Sequence, residues 1–343
     1  MRCVIVSYES CIMRVSTDAV SGFSESACRA ASGALSGFIM RAAGKVMGII
    51  MKNILTFLEE NAIKYKDKTA FVDLNDSVTY AELLARAQSI GSALSKTGTK
   101  NKPVAVYFDK CVNTISAMLG VVYSGNFYVV IDSEMPPARI NKIFGALSPV
   151  AVITDKKHHE NALQLEFSGE IFDLEEALSC EINSEKLAQI RSRQIDTDPL
   201  YALFTSGSTG VPKGAVVSHK NVMAYSEWVS NTFDITSETV FANQTPFYFS
   251  MSVTDVYSTL RNGATLAIVP KMYFSFPIKL VEFLDEYKAN TIYWVPSAIS
   301  MVSNFKVFDF QKPKYLNKVL FAGEVMPTKQ LNYWINNLPE NTL

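Results

Sequence analysis

The sequence contains no apolar run of the roughly 18 residues that a membrane-spanning helix requires. It also lacks an excess of either charge: 32 basic residues stand against 33 acidic ones, a net charge of −1. A nucleic-acid surface needs a basic excess or a clustered basic face, so neither nucleic acid nor a membrane is an expected partner. Cysteine is scarce and scattered over Cys3, Cys11, Cys28, Cys111 and Cys180, with no C-x-x-C pair. That usage argues against a zinc site or a disulfide framework and fits a reducing cytoplasm. No metal site is expected within the chain. Of the three histidines, His158 and His159 lie in a polar stretch without ligand spacing and read as a solvated loop. His219 reads as a structural or capping residue at a helix start, because a catalytic histidine needs a partner within hydrogen-bond reach. What is abundant is apolar: 48% of the 343 residues are hydrophobic and 19% charged, which describes a globular chain longer than one ordinary domain.

The first 50 residues are rich in Ser, Ala, Gly and Arg and show no sustained period. Glu9, Asp18 and Glu25 argue against a transit peptide, so residues 1–50 read as an irregular extension or a misassigned start. From Met51 the pattern sharpens. Ile54, Phe57, Leu58, Ala62 and Ile63 recur at helical spacing. Thr79-Tyr80-Ala81-Glu82 is a capping box, with Leu83, Leu84, Ala87, Ile90 and Leu94 as the apolar stripe behind it. Apolar strand-length runs at 104–108, 127–131 and 150–154 alternate with helical stretches at 112–122 and 136–147. The alternation resumes after residue 200, with strands expected at 240–243, 265–269, 291–295 and 318–321. Such alternation is the mark of β-α-β units, so the expected fold class is α/β with mostly parallel sheets. Residues 51–195 are expected to form a first α/β subdomain and 196–343 a second. The polar stretch 158–197 reads as the link between them.

The stretch Leu203-Phe204-Thr205-Ser206-Gly207-Ser208-Thr209-Gly210-Val211-Pro212-Lys213-Gly214 carries the chemistry. An apolar run ends in small hydroxylated residues and glycines, then a lysine, then a second apolar run. That reads as strand, phosphate-sized loop, strand, with backbone N–H groups and hydroxyls available to an anion and a cation beside them. It is not a Walker A loop: Gly207 and Gly210 are too close together, and Pro212 precedes the lysine.

As a whole, this stretch resembles the phosphate-loop signature of the adenylate-forming enzymes, which include acyl-CoA synthetases and adenylation domains. Further segments resemble family motifs in the family's order: Val78 to Leu83 (VTYAEL), Gly125 to Ile140 (GNFYVVIDSEMPPARI), Pro246 to Tyr257 (PFYFSMSVTDVY), Thr291 to Ser297 and Leu320 to Glu324. Their spacing is most similar to amino-acid adenylation domains and D-alanine–carrier-protein ligases. The resemblance implies the N-terminal portion of that fold. It implies an ATP site of Thr205, Ser206, Gly207, Ser208, Thr209, Gly210 and Lys213, with Lys213 offsetting phosphate charge and Gly323-Glu324 placing the adenine. It further implies an acyl pocket of Phe249, Ser250, Met251, Thr254, Trp294, Leu320 and Ala322, in which Trp294 limits the substrate to a short acid. The cofactors implied are ATP and Mg²⁺. The partners implied are a small carboxylic acid, and coenzyme A or a phosphopantetheinyl carrier protein as thiol acceptor.

One position departs from the pattern. Amino-acid adenylation domains usually carry Phe-Asp in the fourth motif, and here Phe249 is followed by Ser250. A neutral hydroxyl does not compensate a buried ammonium as a carboxylate does, which favours a hydroxy, aryl or other acyl acid. The family's Y-G-P-T-E segment, its ribose-binding aspartate and its C-terminal lysine domain are not found in the 343 residues. The expectation is therefore a carboxylate-activating ligase in truncated or split form, with low activity alone and a separate chain as one source of the rest. The alternative is a non-catalytic ATP-binding remnant, and a third reading is an interaction module reusing the fold.

Overall fold

The computed structural model describes residues 53–205 and 212–343. The irregular extension expected at residues 1–50 lies outside them. Twelve strands among the described residues form two six-stranded sheets. They are β1 (Thr69–Val72), β2 (Ser77–Thr79), β3 (Pro103–Tyr107), β4 (Phe127–Ile131), β5 (Ala151–Thr154), β6 (Glu170–Asp173), β7 (Pro199–Thr205), β8 (Lys213–Ser218), β9 (Val240–Asn243), β10 (Thr265–Ile268), β11 (Thr291–Trp294) and β12 (Lys318–Phe321). One sheet has the order β6-β5-β3-β4-β7-β8, the other β12-β11-β9-β10-β1-β2. Pairing is parallel throughout except at one edge of each sheet, where β7–β8 and β1–β2 are antiparallel hairpins. Sheet membership cuts across the boundary expected at 195. The early hairpin β1–β2 pairs with β10, and the later hairpin β7–β8 pairs with β4. Among the described residues no helix is long and apolar enough to cross a membrane.

The helices are α1 (Leu55–Lys64), α2 (Tyr80–Leu94), α3 (Val112–Tyr123), α4 (Pro137–Leu147), α5 (His159–Leu163), α6 (Leu174–Leu178), α7 (Ser184–Arg191), α8 (His219–Phe233), α9 (Ser252–Asn262), α10 (Pro277–Glu286), α11 (Pro296–Asn304) and α12 (Thr328–Asn337). Their starts follow from local chemistry. The Thr79 hydroxyl accepts from Glu82 N while the Glu82 carboxylate accepts from Thr79 N, which completes the capping box of α2. Ser218 and Asn221 do the same for α8. Pro137, Pro277 and Pro296 occupy first helical positions, where a missing N–H costs nothing.

Strand alternation distributes the side chains among three cores. Val104 and Val106 of β3 join a central core, while Ala105 and Tyr107 join an outer one with α4 and α5. In the other sheet Phe71, Leu266 and Phe241 join the same central core, while Ala267, Ala242 and Ile292 join a second outer core with α10, α11 and α12. The central layer holds α1, α2, α3, α8 and α9 between the two sheets. A helix sandwiched between sheets must be apolar nearly all round, and in α3 every residue but Asn113 is buried. Two hydroxyl contacts tie the halves together. Tyr80 lies between the carbonyls of Thr259 and Ala264 at 2.9 and 2.8 Å, and the Tyr128 and Tyr257 hydroxyls meet at 2.6 Å.

Two expectations are corrected. Ile63, placed on the buried stripe of α1, is 85% exposed. It follows Ala62 round to the solvent side, and Leu55, Leu58, Asn61 and Ala62 make the buried face. The supposed link at 158–197 is built structure. It carries α5, β6, α6 and α7, with β6 pairing in parallel with β5 along Ala151–Thr154.

Helices α2 and α3 meet at two glycines. A Cβ on Gly120 would lie 2.4 Å from Ile90 Cγ2 and 2.6 Å from Ile90 Cβ. Ile90 is β-branched and fully buried, so it has no room to yield. Gly120→Ala is therefore expected to cost about 1–3 kcal/mol in urea unfolding. Gly145→Ala in α4, where a Cβ meets nothing within 4 Å, is expected to be neutral or stabilising by about 0.5–1 kcal/mol.

Candidate active site

The β7–β8 hairpin sets the expected phosphate loop. Thr205 pairs with Lys213 and Phe204 with Gly214, so the two ends of the loop are fixed in register. A Cβ on Gly214 would lie 2.9 Å from the tip of the Phe204 ring lying across the strand pair, so a larger residue there would make the ring shift. Lys213 is exposed at the first position of β8. Ser206, Gly207, Ser208, Thr209 and Gly210 lie outside the described residues. Beside the hairpin a cleft of about 690 Å³ runs between Phe204, Pro212, Met135, Arg139, Tyr248 and Phe249.

The remaining expected site residues lie at or after the carboxyl ends of β9, β11 and β12, where parallel sheets bind ligands. Gly323 has φ +94°, and a Cβ there would lie 3.2 Å from Met251 Sδ. The turn after β12 thus lies against the loop after β9. The Glu324 carboxylate accepts from Ser297 N at 2.9 Å and from Ser297 Oγ at 3.2 Å, tying that turn to the start of α11. Thr254 is buried, and its hydroxyl meets that of Tyr225 at 2.8 Å. Phe249 is exposed and stacks obliquely on Tyr248 with ring centroids 4.8 Å apart. Ser250 and Ala322 are half-buried, and Leu320 is buried opposite Tyr293.

Trp294 stands elsewhere. It is fully buried in the second outer core, donates its indole N–H to Ala242 O at 2.8 Å and meets Phe274 edge-to-face. Because side chains alternate along β11, Tyr293 and its partner Leu320 share the face opposite Trp294. On β11 it is Tyr293, not Trp294, that lies on the face of Leu320. Period-2 alternation from Ile292, read with the apolar helix stripe of α10, was the signal that would have found it.

A second cleft of about 630 Å³ opens where the carboxyl ends of both sheets face each other. His158 lies in its wall and is buried, contrary to the solvated loop expected. Its Nδ1 lies 2.6 Å from Asp155 and its Nε2 3.3 Å from Asp109. Burial alone would raise the Asp109 carboxyl, but bonds from Lys157 and Ser133 and the charge of His158 hold it below its usual range. Lys110 extends into the same seam. Its ammonium donates to the carbonyls of Asn243 and Gln244, both at 3.1 Å, and lies 5.5 Å from the centre of the Phe247 ring. The Asn243 side chain donates to Asp255 at 2.5 Å. Neither Lys110 nor Asp255 was singled out from the sequence. The available signal was a lysine directly after an apolar strand and a carboxylate within an otherwise uncharged helix start. Among the described residues no group of His, Cys, Asp or Glu could hold a metal ion.

His219 opens α8 and is buried, with its Nδ1 lacking a hydrogen-bond partner. Burial pushes the imidazole down to about 4. Below its ordinary value of 6.5 the unfolded chain binds a proton that the folded chain refuses, so stability falls as pH drops from 6.5 towards 4. Wild type is expected to lose roughly 2 kcal/mol between pH 7 and pH 5 through this group, read by urea unfolding. His219→Gln is expected to remove that part of the slope.

A profile described as AMP-binding enzyme matches residues 58–342. The chain is 29% identical over 307 residues to the L-proline--[L-prolyl-carrier protein] ligase of Pseudomonas fluorescens, with 82% of this chain and 58% of the relative covered. It is 28% identical over 294 residues to the D-alanine--D-alanyl carrier protein ligase of Staphylococcus aureus, with 85% and 58% covered. It thus spans a little over half the length of these curated relatives. Among solved structures, VinN superposes with a TM-score of 0.73 at 17% identity, covering 84% of this chain and 73% of VinN. A fatty acyl-adenylate ligase from L. pneumophila gives 0.71 at 21% identity, covering 83% and 52%. The likeness to these structures is one of fold.

Proposed function

From the premise that this chain belongs to the AMP-binding enzyme family, we propose that it takes part in ATP-dependent activation of a small carboxylic acid for transfer to a thiol. The carboxylate oxygen attacks the α-phosphorus of ATP, a new O–P bond forms, and pyrophosphate leaves. The acceptor's thiolate then attacks the acyl carbon, and AMP leaves. The observation that carries this reading is the β7–β8 hairpin. It holds Thr205 opposite Lys213 across a loop of small hydroxylated and glycine residues. In this reading Thr205, Ser206, Ser208 and Thr209 grip the outer phosphates with the amides of Gly207 and Gly210, and Lys213 offsets their charge. Gly323 and Glu324 place the adenine. Mg²⁺ enters with the ATP phosphates, and protein outside these 343 residues, a separate chain being one source, supplies its ligand and the remaining charges. The setting is cytoplasmic, and the acceptor is coenzyme A or a carrier-protein phosphopantetheine.

The acid pocket comprises Phe249, Ser250, Met251, Thr254, Leu320 and Ala322, with Tyr293 in place of Trp294. Ser250 is uncharged, and the nearby carboxylate of Asp255 is enclosed and bonded to Asn243. Neither compensates a substrate ammonium, so a hydroxy, aryl or other acyl acid is favoured over an α-amino acid.

Calorimetric titration with ATP is expected to detect binding by wild type. Lys213→Ala is expected to weaken it about 10- to 100-fold, the size of a lost charge-assisted contact. ATP–pyrophosphate exchange against a panel of acids is expected to respond to uncharged short acids before amino acids. ATP-binding without exchange for any acid would identify a non-catalytic remnant, and no ATP-binding by a folded sample would overturn the reading.

A further inference from the structure

The seam between the two sheets holds an interaction whose role nothing above assigns. Lys110 leaves the first sheet at the end of β3, yet each of its contacts is on the second. Its ammonium donates to the carbonyls of Asn243 and Gln244, the last residue of β9 and the first residue after it. It sits over the ring of Phe247, two residues beyond Thr245. Asp255 faces it from the first turn of α9, and Asn243 bridges the two by donating to the Asp255 carboxylate. The Asp255 carboxyl is raised and the Lys110 ammonium lowered by enclosure, each held back by the other's charge. The start of the segment 244–251 is therefore fastened to the lysine, and its far end is tied to the same place through the Asn243–Asp255 bond. Between those points the backbone is held by turn bonds, such as Phe249 N to Pro246 O at 3.0 Å and Val253 N to Ser250 O at 3.1 Å, with Phe247 packed into the central core.

We infer that Lys110 is a positioning residue for the acid pocket, setting where Phe249, Ser250 and Met251 stand by clamping the start of their loop to the opposite sheet. It touches none of the reacting atoms. Asn243 O also accepts from Val269 N at 3.1 Å, so without the lysine it is the Gln244 carbonyl that loses its donor, and the start of the loop must move to find another. The loop would shift with it while both sheets kept their own pairing. A shift of even an ångström in a residue that orients substrate is costly to turnover. The consequence for catalysis rests on the function proposed above, whereas the clamp itself does not.

Removing Lys110 alone leaves Asp255 uncompensated, and such a protein can fail to fold. The test therefore compares Asp255→Asn with the double variant K110M/D255N in the 343-residue chain. Amide hydrogen exchange at Phe249, Ser252 and Val253 is read against the strands β3 and β4. D255N is expected to stay within about threefold of wild type, because the lysine still caps both carbonyls. K110M/D255N is expected to exchange at least about tenfold faster at those three amides, with β3 and β4 unchanged. Lys110→Arg is expected to restore protection. Where pyrophosphate exchange is measurable, the double variant should raise the apparent KM for the acid and leave that for ATP unaltered. Equal protection in D255N and K110M/D255N would overturn the inference and reduce Lys110 to a counter-ion for Asp255. A wild type that neither binds ATP nor exchanges pyrophosphate would defeat the proposed function while the amide measurements still decided the clamp.

Discussion

The architecture depends on a helical layer that must be apolar on two opposite sides at once. Helices α2, α3 and α9 lie between sheets, so most of their surface must be apolar. Several of the polar groups admitted there are answered: Tyr80 by two carbonyls, Tyr128 by Tyr257, Thr254 by Tyr225. The Tyr128–Tyr257 bond ties a strand of the first sheet to a central helix, and Tyr80 ties another central helix to the Ala264 carbonyl just before β10 of the second sheet. Satisfying buried polar atoms and fixing the relative position of the two sheets are thus the same event. Gly91 and Gly120 let two of the central helices approach closely enough for one layer to serve both sheets.

With the sheets fixed, their carboxyl ends define where chemistry can take place. The hairpin that carries Thr205 and Lys213 belongs to the first sheet, and the loops carrying Ser250, Gly323 and Glu324 belong to the second. No single sheet owns the site. That division explains why charges at the seam, those of Lys110, Asp255, Asp109 and His158, are bonded across or along it. A site assembled from two rigid bodies needs positional control at their junction more than it needs groups that react.

Much of this was legible in the residues. Strands 240–243 and 318–321 follow from short apolar runs bounded by polar turns, and the capping box at Thr79 fixed the start of α2 to the residue. Parallel pairing followed from the alternation of strands with helices. What was not legible was long-range. The segment holding β6 and α7 is polar because it lies at a sheet edge and a surface, so its periodicity is weak. That β1–β2 joins the later sheet depends on pairing across nearly two hundred residues, which no local pattern records. Trp294 was placed in the pocket by the match of its segment to a family motif, whereas the face a strand residue occupies depends on its neighbours' partners. Lys110 was passed over because a lone lysine is ordinarily solvated, and its three contacts come from a segment more than a hundred residues away.

The exchange of hairpins between the two sheets also constrains how the chain reaches this state. Neither half can complete its sheet alone: the first waits for β7–β8, and the second needs β1–β2, which is made long before β10. During synthesis the early hairpin must remain without its parallel neighbour while most of the chain emerges. Contacts of such sequence separation slow folding and leave strand edges open meanwhile. A cut near residue 195 would therefore yield two fragments that each lack a sheet edge, and the two sheets are expected to fold as one kinetic unit rather than as successive domains.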